Sequence, residues 1–147
     1  MEKQIIGYIV GAFDLFHIGH VNILKNARKM CDYLIVGLST DEWVKKYKNK
    51  TTAIPFNQRK EVLMACKFVD SIVPQEDFDD FKMWERLKFD IMFVGDDWKE
   101  SERFKGLEEK FNKIRIKIIY LPYTKGISTT EIKKKIAERG LEEKNEE

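Results

Sequence analysis

Residues 5–20, which read IIGYIVGAFDLFHIGH, decide the fold. Residues 5–10 are apolar at successive positions, which is typical of a strand covered on both faces in a parallel sheet. A turn that contains Gly11 follows, and from Val21 onwards apolar residues recur at helical spacing. The stretch therefore predicts a strand–loop–helix unit.

The same pattern recurs along the chain. Further apolar runs of strand length lie at residues 33–38, 71–73, 91–94 and 116–121, and the segments between them have helical periodicity. Five strands that alternate with helices predict an α/β fold, namely a Rossmann-like, doubly wound, parallel five-stranded sheet with helices on both faces. Such sheets bind ligands at the carboxyl ends of their strands, so we expect the function to lie in the loops there.

Size and charge limit the classes of function. The chain has 147 residues, with 27 Lys and Arg against 25 Asp and Glu, and a net charge of +2. This near balance argues against nucleic-acid and membrane partners, which usually require a basic stripe or a large excess of one sign. Cys31 and Cys66 form no C-x-x-C pair, which favours reduced core residues, and no stretch approaches the ~18 apolar residues of a membrane span. We expect a cytoplasmic protein.

The end of the chain carries clear helix signals. Ser128-Thr129-Thr130-Glu131 is a capping box that predicts the start of the last helix, and Gly140 predicts its end. The residues beyond Gly140 are rich in glutamate and contain no aromatic residue. We therefore predict one domain over residues 1–140 and a charged, disordered tail over residues 141–147.

Both histidines of the chain, His17 and His20, lie in the first of the predicted loops, on either side of Gly19. The start of a helix offers unpaired N–H groups and a partial positive charge, so this turn could bind a phosphate, with the imidazoles as further donors. Gly19 would remove a side chain where the ligand approaches. Two other interpretations stay open: the pair could cap the helix or make a partly buried polar contact, or it could belong to a zinc site, although further zinc ligands are not evident.

Three blocks of sequence resemble the cytidylyltransferase-type nucleotidyltransferases. GAFD and HIGH (residues 11–14 and 17–20) resemble the G-T-F-D and H-x-G-H motifs, GDDW (95–98) resembles a segment of bacterial glycerol-3-phosphate cytidylyltransferases, and ISTT (127–130) resembles the end of an R-T-E-G-I-S-T motif. The resemblance runs from about residue 5 to residue 136. H-x-G-H alone marks a broad superfamily that includes adenylyl transfer, whereas three blocks in this order are more specific.

This resemblance implies a reaction in which a phosphorylated alcohol attacks the α-phosphate of CTP and displaces pyrophosphate. The sequence suits such chemistry, because phosphoryl transfer requires positioning and charge neutralisation rather than a protein nucleophile. The resemblance implies catalytic roles at the phosphates for His17, His20, Lys48 and Arg59. It implies nucleotide contacts for Gly11, Ala12, Phe13, Asp14, Gly19, Lys50, Asp97, Trp98, Thr124, Ile127, Ser128 and Thr129.

Several of these residues have a structural alternative. Lys48 and Lys50 lie in a polar connection, residues 45–55, that we interpret as a candidate lid, but both could be solvated loop charges. Arg59 could make a surface ion pair instead of a phosphate contact. Under the resemblance, Asp14 would either orient the first loop or assist the metal–nucleotide complex.

The last two loops also carry alternatives. Ser128 and Thr129 would form a second anion site that faces the first, although capping alone would explain Ser128. Under the resemblance, Asp97 and Trp98 help to form the base and ribose pocket. Alternatively, Asp96 or Asp97 caps the next helix and Trp98 belongs to the core.

The chain departs from the family pattern at two places. Tyr123 stands where the glycerol-phosphate enzymes have an arginine, and Lys125 follows two residues later. A lysine cannot copy the planar guanidinium fork, so either Lys125 compensates or the phosphate is held differently. Ala12 stands where the family has a threonine, which removes one hydroxyl group.

We therefore predict a CTP-dependent nucleotidyltransferase that acts on a small phosphorylated alcohol, with glycerol 3-phosphate as the first choice. Mg²⁺ would accompany CTP, without a metal site built from protein side chains. The resemblance also implies a homodimer. The alternatives are an adenylyltransferase that uses ATP and a catalytically idle nucleotide-binding sensor.

Overall fold

A five-stranded parallel sheet forms the centre of the computed structural model, which describes residues 3–146. The strands lie in the order β3-β2-β1-β4-β5. This confirms the predicted Rossmann-like α/β fold, and the observed strands differ from the predicted ones by one or two residues at their ends. Their bounds are β1 Ile6–Gly11, β2 Tyr33–Ser39, β3 Ser71–Gln75, β4 Ile91–Gly95 and β5 Lys117–Leu121.

Within residues 3–146, six α-helices connect and cover the strands. They are α1 Ile18–Arg28, α2 Asp41–Lys48, α3 Phe56–Met64, α4 Asp80–Leu87, α5 Glu102–Lys113 and α6 Thr129–Glu146, with a single 3-10 turn at Asp96–Trp98. None of the helices described within residues 3–146 is long and apolar enough to cross a membrane.

Helices bury the sheet on both faces. Successive residues of a strand point to opposite faces, so they belong to different cores. Ile9 and Phe93 belong to one hydrophobic core, which also contains residues of α1 and α3. Their strand neighbours Tyr8 and Met92 belong to a second core, together with residues of α4 and α5. This two-sided burial explains why the strands are apolar at successive positions.

Two predicted boundaries need correction. Residues 45–48, expected in an irregular connection, form the end of α2, whose start is capped by Thr40 through a 3.2 Å hydrogen bond from the Trp43 N–H. The last helix does not end at Gly140. It continues to Glu146, so residues 141–146, predicted as a disordered tail, are helical, and Glu147 lies outside the described residues. The described side chains beyond Gly140, those of residues 141–145, are exposed.

Candidate active site

The loop between β1 and α1 has an unusual backbone. Phe13 and Leu15 have positive φ angles of 48° and 50°, a region that side chains other than glycine seldom adopt and that costs on the order of 1–3 kcal/mol. The Phe13 ring is buried and lies against Gly11, where an added Cβ would be 2.8 Å from that ring. The absence of a side chain at Gly11 therefore allows the Phe13 ring to pack beneath the loop, and this packing stabilises the loop conformation.

The two histidines begin α1 as a reciprocal cap. The Gly19 N–H donates to His17 Nδ1 over 3.0 Å, and the His17 N–H donates to His20 Nδ1 over 3.2 Å. An imidazole nitrogen that accepts from a backbone N–H cannot itself carry a proton, so each ring carries its proton on Nε2. The pair is therefore a helix cap, one of the predicted alternatives, and it retains two Nε2–H donors for other contacts.

Burial keeps the pair neutral. Burial lowers the pKa of His17 below its ordinary value. Burial and the neighbouring His17 lower the pKa of His20 to about 4, against a weaker opposing effect of Asp14. The His17 and His20 ring centroids are 3.8 Å apart, and Phe13 and Phe16 also contact the His20 ring. At neutral pH the histidines can thus offer hydrogen bonds but little positive charge.

Gly19 brings two loops together. A Cβ at this position would be 2.8 Å from the His17 ring and 3.5 Å from Ile127, which precedes α6. The His17 ring and Ile127 thus occupy the place that a side chain at Gly19 would need, and the predicted ligand contact at Gly19 stays a prediction. A hydrogen bond of 2.9 Å from the Asn22 side chain to Thr124 also joins α1 to the loop after β5.

Asp14 orients the first loop, as one of its two predicted roles requires. Its buried carboxylate accepts hydrogen bonds from the Ala53 and Ile54 N–H groups over 2.7 and 3.0 Å, and it pairs with Lys133 over 3.4 Å. Its carbonyl oxygen accepts from the Thr129 hydroxyl over 2.7 Å. The carboxylate is therefore committed to protein partners, which does not favour the alternative role at a metal.

Arg59 has a different place from the predicted phosphate contact. Its side chain is fully buried, and it donates to the carbonyl oxygens of Ile54, Ala12 and Ser39 over 2.7–2.9 Å. The remaining terminal nitrogen pairs with Asp41 over 2.7 Å. Four of its five N–H donors are thus used inside the protein. Arg59 fixes the carbonyl group of Ala12 and the end of the α2–α3 connection instead of facing a ligand, and it does not make the surface ion pair either.

Lys48 and Lys50 lie at the other end of the same connection, next to α2. Lys48 is the last residue of α2, and Lys50 is the second residue after it. Partial burial, followed by the ammonium groups of Lys50 and Lys133, lowers the pKa of Lys48, and Asp97 opposes this shift. The lysines therefore share one electrostatic environment with the loop that follows β4.

The start of α6 faces the start of α1. The Ser128 hydroxyl accepts from the Glu131 N–H over 3.1 Å, which confirms the side-chain cap predicted for Ser128, while Thr129 reaches the first loop at Asp14. Two helix N-termini thus meet at the carboxyl edge of the sheet, where their unpaired N–H groups favour an anion.

The loop after β4 contributes one residue to the hydrophobic core and one exposed residue at the candidate site. Trp98 is half-buried and packs edge-on against Phe104 with ring centroids 5.8 Å apart, as the core alternative predicts. Asp97 is exposed. The capping alternative for Asp96 or Asp97 is wrong, because Ser101 caps α5 through the Phe104 N–H.

Tyr123 lies over this loop. A Cβ added at Gly95 would be 2.5 Å from the Tyr123 hydroxyl, so the glycine makes room for the phenol. Partial burial and then the nearby carboxylate of Asp97 raise the pKa of Tyr123. The phenol thus occupies the mouth of the site, in the position where the resemblance implies an arginine.

The structure brings the predicted residues to one edge of the sheet, with the exception that the Arg59 side chain is buried beneath it. Sequence reasoning missed Asp41, Asn22 and Lys133. Lys133 lies four residues after Thr129, on the same face of α6, and that helical spacing is the signal that could have identified it. Within residues 3–146, no group of three His, Cys, Asp or Glu side chains is placed to hold a metal ion.

The sheet order and the paired helix starts define a Rossmann-like α/β protein with an anion site at the carboxyl edge of its sheet. Comparison with known proteins gives the family: the chain belongs to the Cytidylyltransferase-like family, whose model matches residues 8–135.

Individual relatives agree with this assignment. The glycerol-3-phosphate cytidylyltransferase of Bacillus spizizenii is 42% identical over 137 residues, which cover 92% of this chain and 98% of that protein. The FAD synthase of Pyrococcus abyssi is 35% identical over 125 residues, which cover 83% of each chain. Among solved structures, a lipopolysaccharide core biosynthesis protein from Thermoplasma volcanium has a TM-score of 0.69 and 26% identity, with 85% of this chain and all of that chain covered.

Proposed function

We propose that the protein transfers CMP from CTP to a small phosphorylated alcohol, with glycerol 3-phosphate as the first choice. One observation carries the proposal: two neutral histidines and two helix N-termini present hydrogen-bond donors at the same sheet edge, beside Lys48 and Lys50. Such an arrangement suits a triphosphate. The relatives that support CTP and the glycerol phosphate are glycerol-3-phosphate cytidylyltransferases, at 38–42% identity.

The reaction requires no protein nucleophile. An oxygen of the acceptor phosphate forms a bond to the α-phosphorus of CTP while the bond to the bridging oxygen breaks, and pyrophosphate leaves with the electron pair. The Nε2–H groups of His17 and His20 would donate to the phosphate oxygens as charge shifts toward the leaving group. Because these donors are neutral and held by backbone hydrogen bonds, little reorganisation is needed during the reaction.

Mg²⁺ belongs to this proposal as the companion of CTP. The residues present fit a hard cation that arrives on phosphate oxygens and needs few protein ligands. Asp14 is committed to protein donors, and the loop after β4 carries two exposed carboxylates, those of Asp96 and Asp97. Asp97 could complete the coordination. When bound, the cation would neutralise part of the triphosphate charge. The homodimer that the resemblance implies stays a prediction.

ATP is the second candidate nucleotide. FAD synthase, one of the relatives, is 35% identical to this chain, and Tyr123 stands at the site mouth where the resemblance implies an arginine. An adenylyl transfer would use the same phosphate donors, so the choice between the two nucleotides depends on the base pocket near Asp97 and Trp98.

The decisive experiment measures pyrophosphate release with CTP, ATP, GTP and UTP, each against glycerol 3-phosphate, phosphoethanolamine and phosphocholine. We expect release with CTP and glycerol 3-phosphate, and little release from a His17→Asn variant under the same conditions. Release with ATP but not CTP would overturn the base assignment. Saturable CTP binding without release for any acceptor would favour the nucleotide-binding sensor.

A further inference from the structure

Lys133 is an ammonium group at the site that neither the sequence motifs nor the proposed reaction uses. It lies on α6, one helical turn after Thr129, so both side chains project from the same face of the helix. Both contact Asp14: the Thr129 hydroxyl reaches the carbonyl oxygen, and the Lys133 Nζ lies 3.4 Å from the carboxylate. The helix therefore presents Lys133 to the loop that ends with the histidine cap.

The geometry points to Lys133 as a third lysine of the triphosphate site, one that binds the terminal diphosphate, the part that leaves as pyrophosphate. This inference rests on the proposed nucleotidyl transfer and adds a phosphate-binding residue from α6 to Lys48 and Lys50, which belong to α2 and the connection after it. A lysine is suited to this position because its ammonium is a mobile point charge that does not require a fixed bidentate geometry.

The pairing of Lys133 with Asp14 is easily exchanged. The distance of 3.4 Å is long for a charge-assisted hydrogen bond, and the Lys133 side chain is 42% exposed. Asp14 also keeps two backbone N–H donors, from Ala53 and Ile54, when the lysine leaves. Lys133 can therefore move to a phosphate without leaving a buried carboxylate unpartnered.

The charge balance favours the same conclusion. The ammonium groups of Lys48, Lys50 and Lys133 lie close together at this edge of the sheet, near the carboxylates of Asp14 and Asp97. Partial burial, and then the like charges of the other two lysines, lower the pKa of Lys48, while Asp97 opposes this effect. A polyphosphate would remove this repulsion, because its negative charge lies among the three cations.

The inference is tested by titrating inorganic pyrophosphate into the full chain by isothermal calorimetry. Pyrophosphate needs neither a base nor an acceptor, so the result is independent of the choice of nucleotide and alcohol. We expect Lys133→Ala to raise the dissociation constant about ten-fold, as the loss of one charged hydrogen bond would. Lys135→Ala is the matched control, since Lys135 is an exposed lysine two positions further along the same helix, and it should bind as the wild type does.

A purely structural role for Lys133 gives a different pattern. It would lower the melting temperature of the unliganded protein, and Lys133→Met, which keeps most of the aliphatic side chain, would bind pyrophosphate as the wild type does. We expect instead an unliganded melting temperature within about 2 °C of the wild type, weak binding by Lys133→Met, and partial recovery by Lys133→Arg. Unchanged pyrophosphate binding by Lys133→Ala, or no binding by the wild type, would overturn the inference, while CMP transfer is judged separately by the release assay.

Discussion

Each histidine of the pair uses its two ring nitrogens for different tasks. Nδ1 of His17 and Nδ1 of His20 complete the cap of α1, while both Nε2–H groups are left for other partners. The caps fix the tautomer and the orientation of each ring, so a donor is held in place without a dedicated second side chain. Folding and the proposed catalysis thus depend on the same two residues through different atoms.

The two tasks of His17 can be separated by substitution. Asparagine is a good N-cap residue, so His17→Asn should retain the cap but lose the Nε2–H donor, whereas His17→Ala should lose both. We expect turnover to fall by at least ~10² in both variants, and the free energy of unfolding to fall by about 1 kcal/mol in His17→Ala alone. Single-turnover kinetics measure the effect on the rate, and urea denaturation measures the effect on the free energy of unfolding. Unchanged turnover in His17→Asn would remove the Nε2–H group from the mechanism.

His20 makes stability depend on pH. Because its pKa is about 4 in the folded protein and 6.5 in a model peptide, the unfolded chain binds more protons between these values. The His20 contribution to stability is therefore present above about pH 6.5 and is lost as pH falls toward 4. His20→Gln removes the titration and keeps an N3 side chain that can reach back to the cap.

Comparing the wild type with His20→Gln isolates the contribution of His20 to the pH dependence of stability. Burial raises the pKa of Asp80 to about 6, an effect of the opposite sign over much of the same range, but this contribution is common to both proteins. We expect the wild type to lose about 2–3 kcal/mol relative to His20→Gln between pH 7 and pH 4, measured by urea denaturation at each pH. Parallel pH profiles would show that His20 is not held neutral by its surroundings.

At the level of elements, the α2–α3 connection is anchored at one end and exposed at the other. Residues 52–56 are tied to Asp14 and Asp41 through backbone and hydroxyl donors, and Arg59 holds the carbonyl of Ile54. Residues 49–51, which include Lys50, are exposed. The part of the candidate lid that could move is thus shorter than the sequence indicated, and it begins where Asn49 adopts a positive φ of 52°.

Replacing Arg59 tests this anchoring. Arg59→Lys keeps the charge but cannot make the four hydrogen bonds of the buried guanidinium, so buried acceptors are left unpartnered. We expect a loss of about 3 kcal/mol in the free energy of unfolding, by guanidinium or urea denaturation. Lys60→Ala, at an exposed neighbouring position, should change it by less than about 0.5 kcal/mol. A stability loss as small as that of Lys60→Ala would contradict the role of Arg59 in holding the loops.

Features of the fold that depend on local interactions could be predicted from the sequence, whereas features that depend on long-range contacts could not. The strands and the histidine loop could be predicted because burial on both faces and helix capping leave local patterns. Helix α2 has only eight residues and one buried apolar residue, Val44, and its last turn is rich in lysine, so residues 45–48 were assigned to an irregular connection. The burial of Arg59 depends on Ala12 and Ser39, which are 47 and 20 residues away, and no local pattern reports such contacts. Gly140 does not end α6 as predicted, because a single glycine within a helix costs only about 1 kcal/mol.

At the scale of the whole molecule, the candidate site lies where the order of the strands in the sheet reverses. The chain adds β2 and β3 on one side of β1 and then crosses to β4 and β5 on the other, so β1 and β4 form the topological switch point. The loop after β1 carries the histidines, and the loop after β4 carries Asp97. A ligand bound here would contact both halves of the sheet, and the start of α6, which contacts Asp14, would border it.

This position predicts strong coupling between nucleotide binding and global stability. A ligand at 100 times its dissociation constant stabilises the folded state by ~2.7 kcal/mol, which for a chain of this length corresponds to a rise in melting temperature of roughly 5–10 °C. We expect CTP with Mg²⁺ to produce such a rise by differential scanning fluorimetry, and ATP at the same concentration to produce a clearly smaller one, because the phosphate contacts are shared and only the base contacts differ. Equal shifts with both nucleotides would mean that the phosphate donors dominate binding and that the base pocket near Asp97 does not discriminate. A larger shift with ATP would favour adenylyl transfer over the proposed CMP transfer.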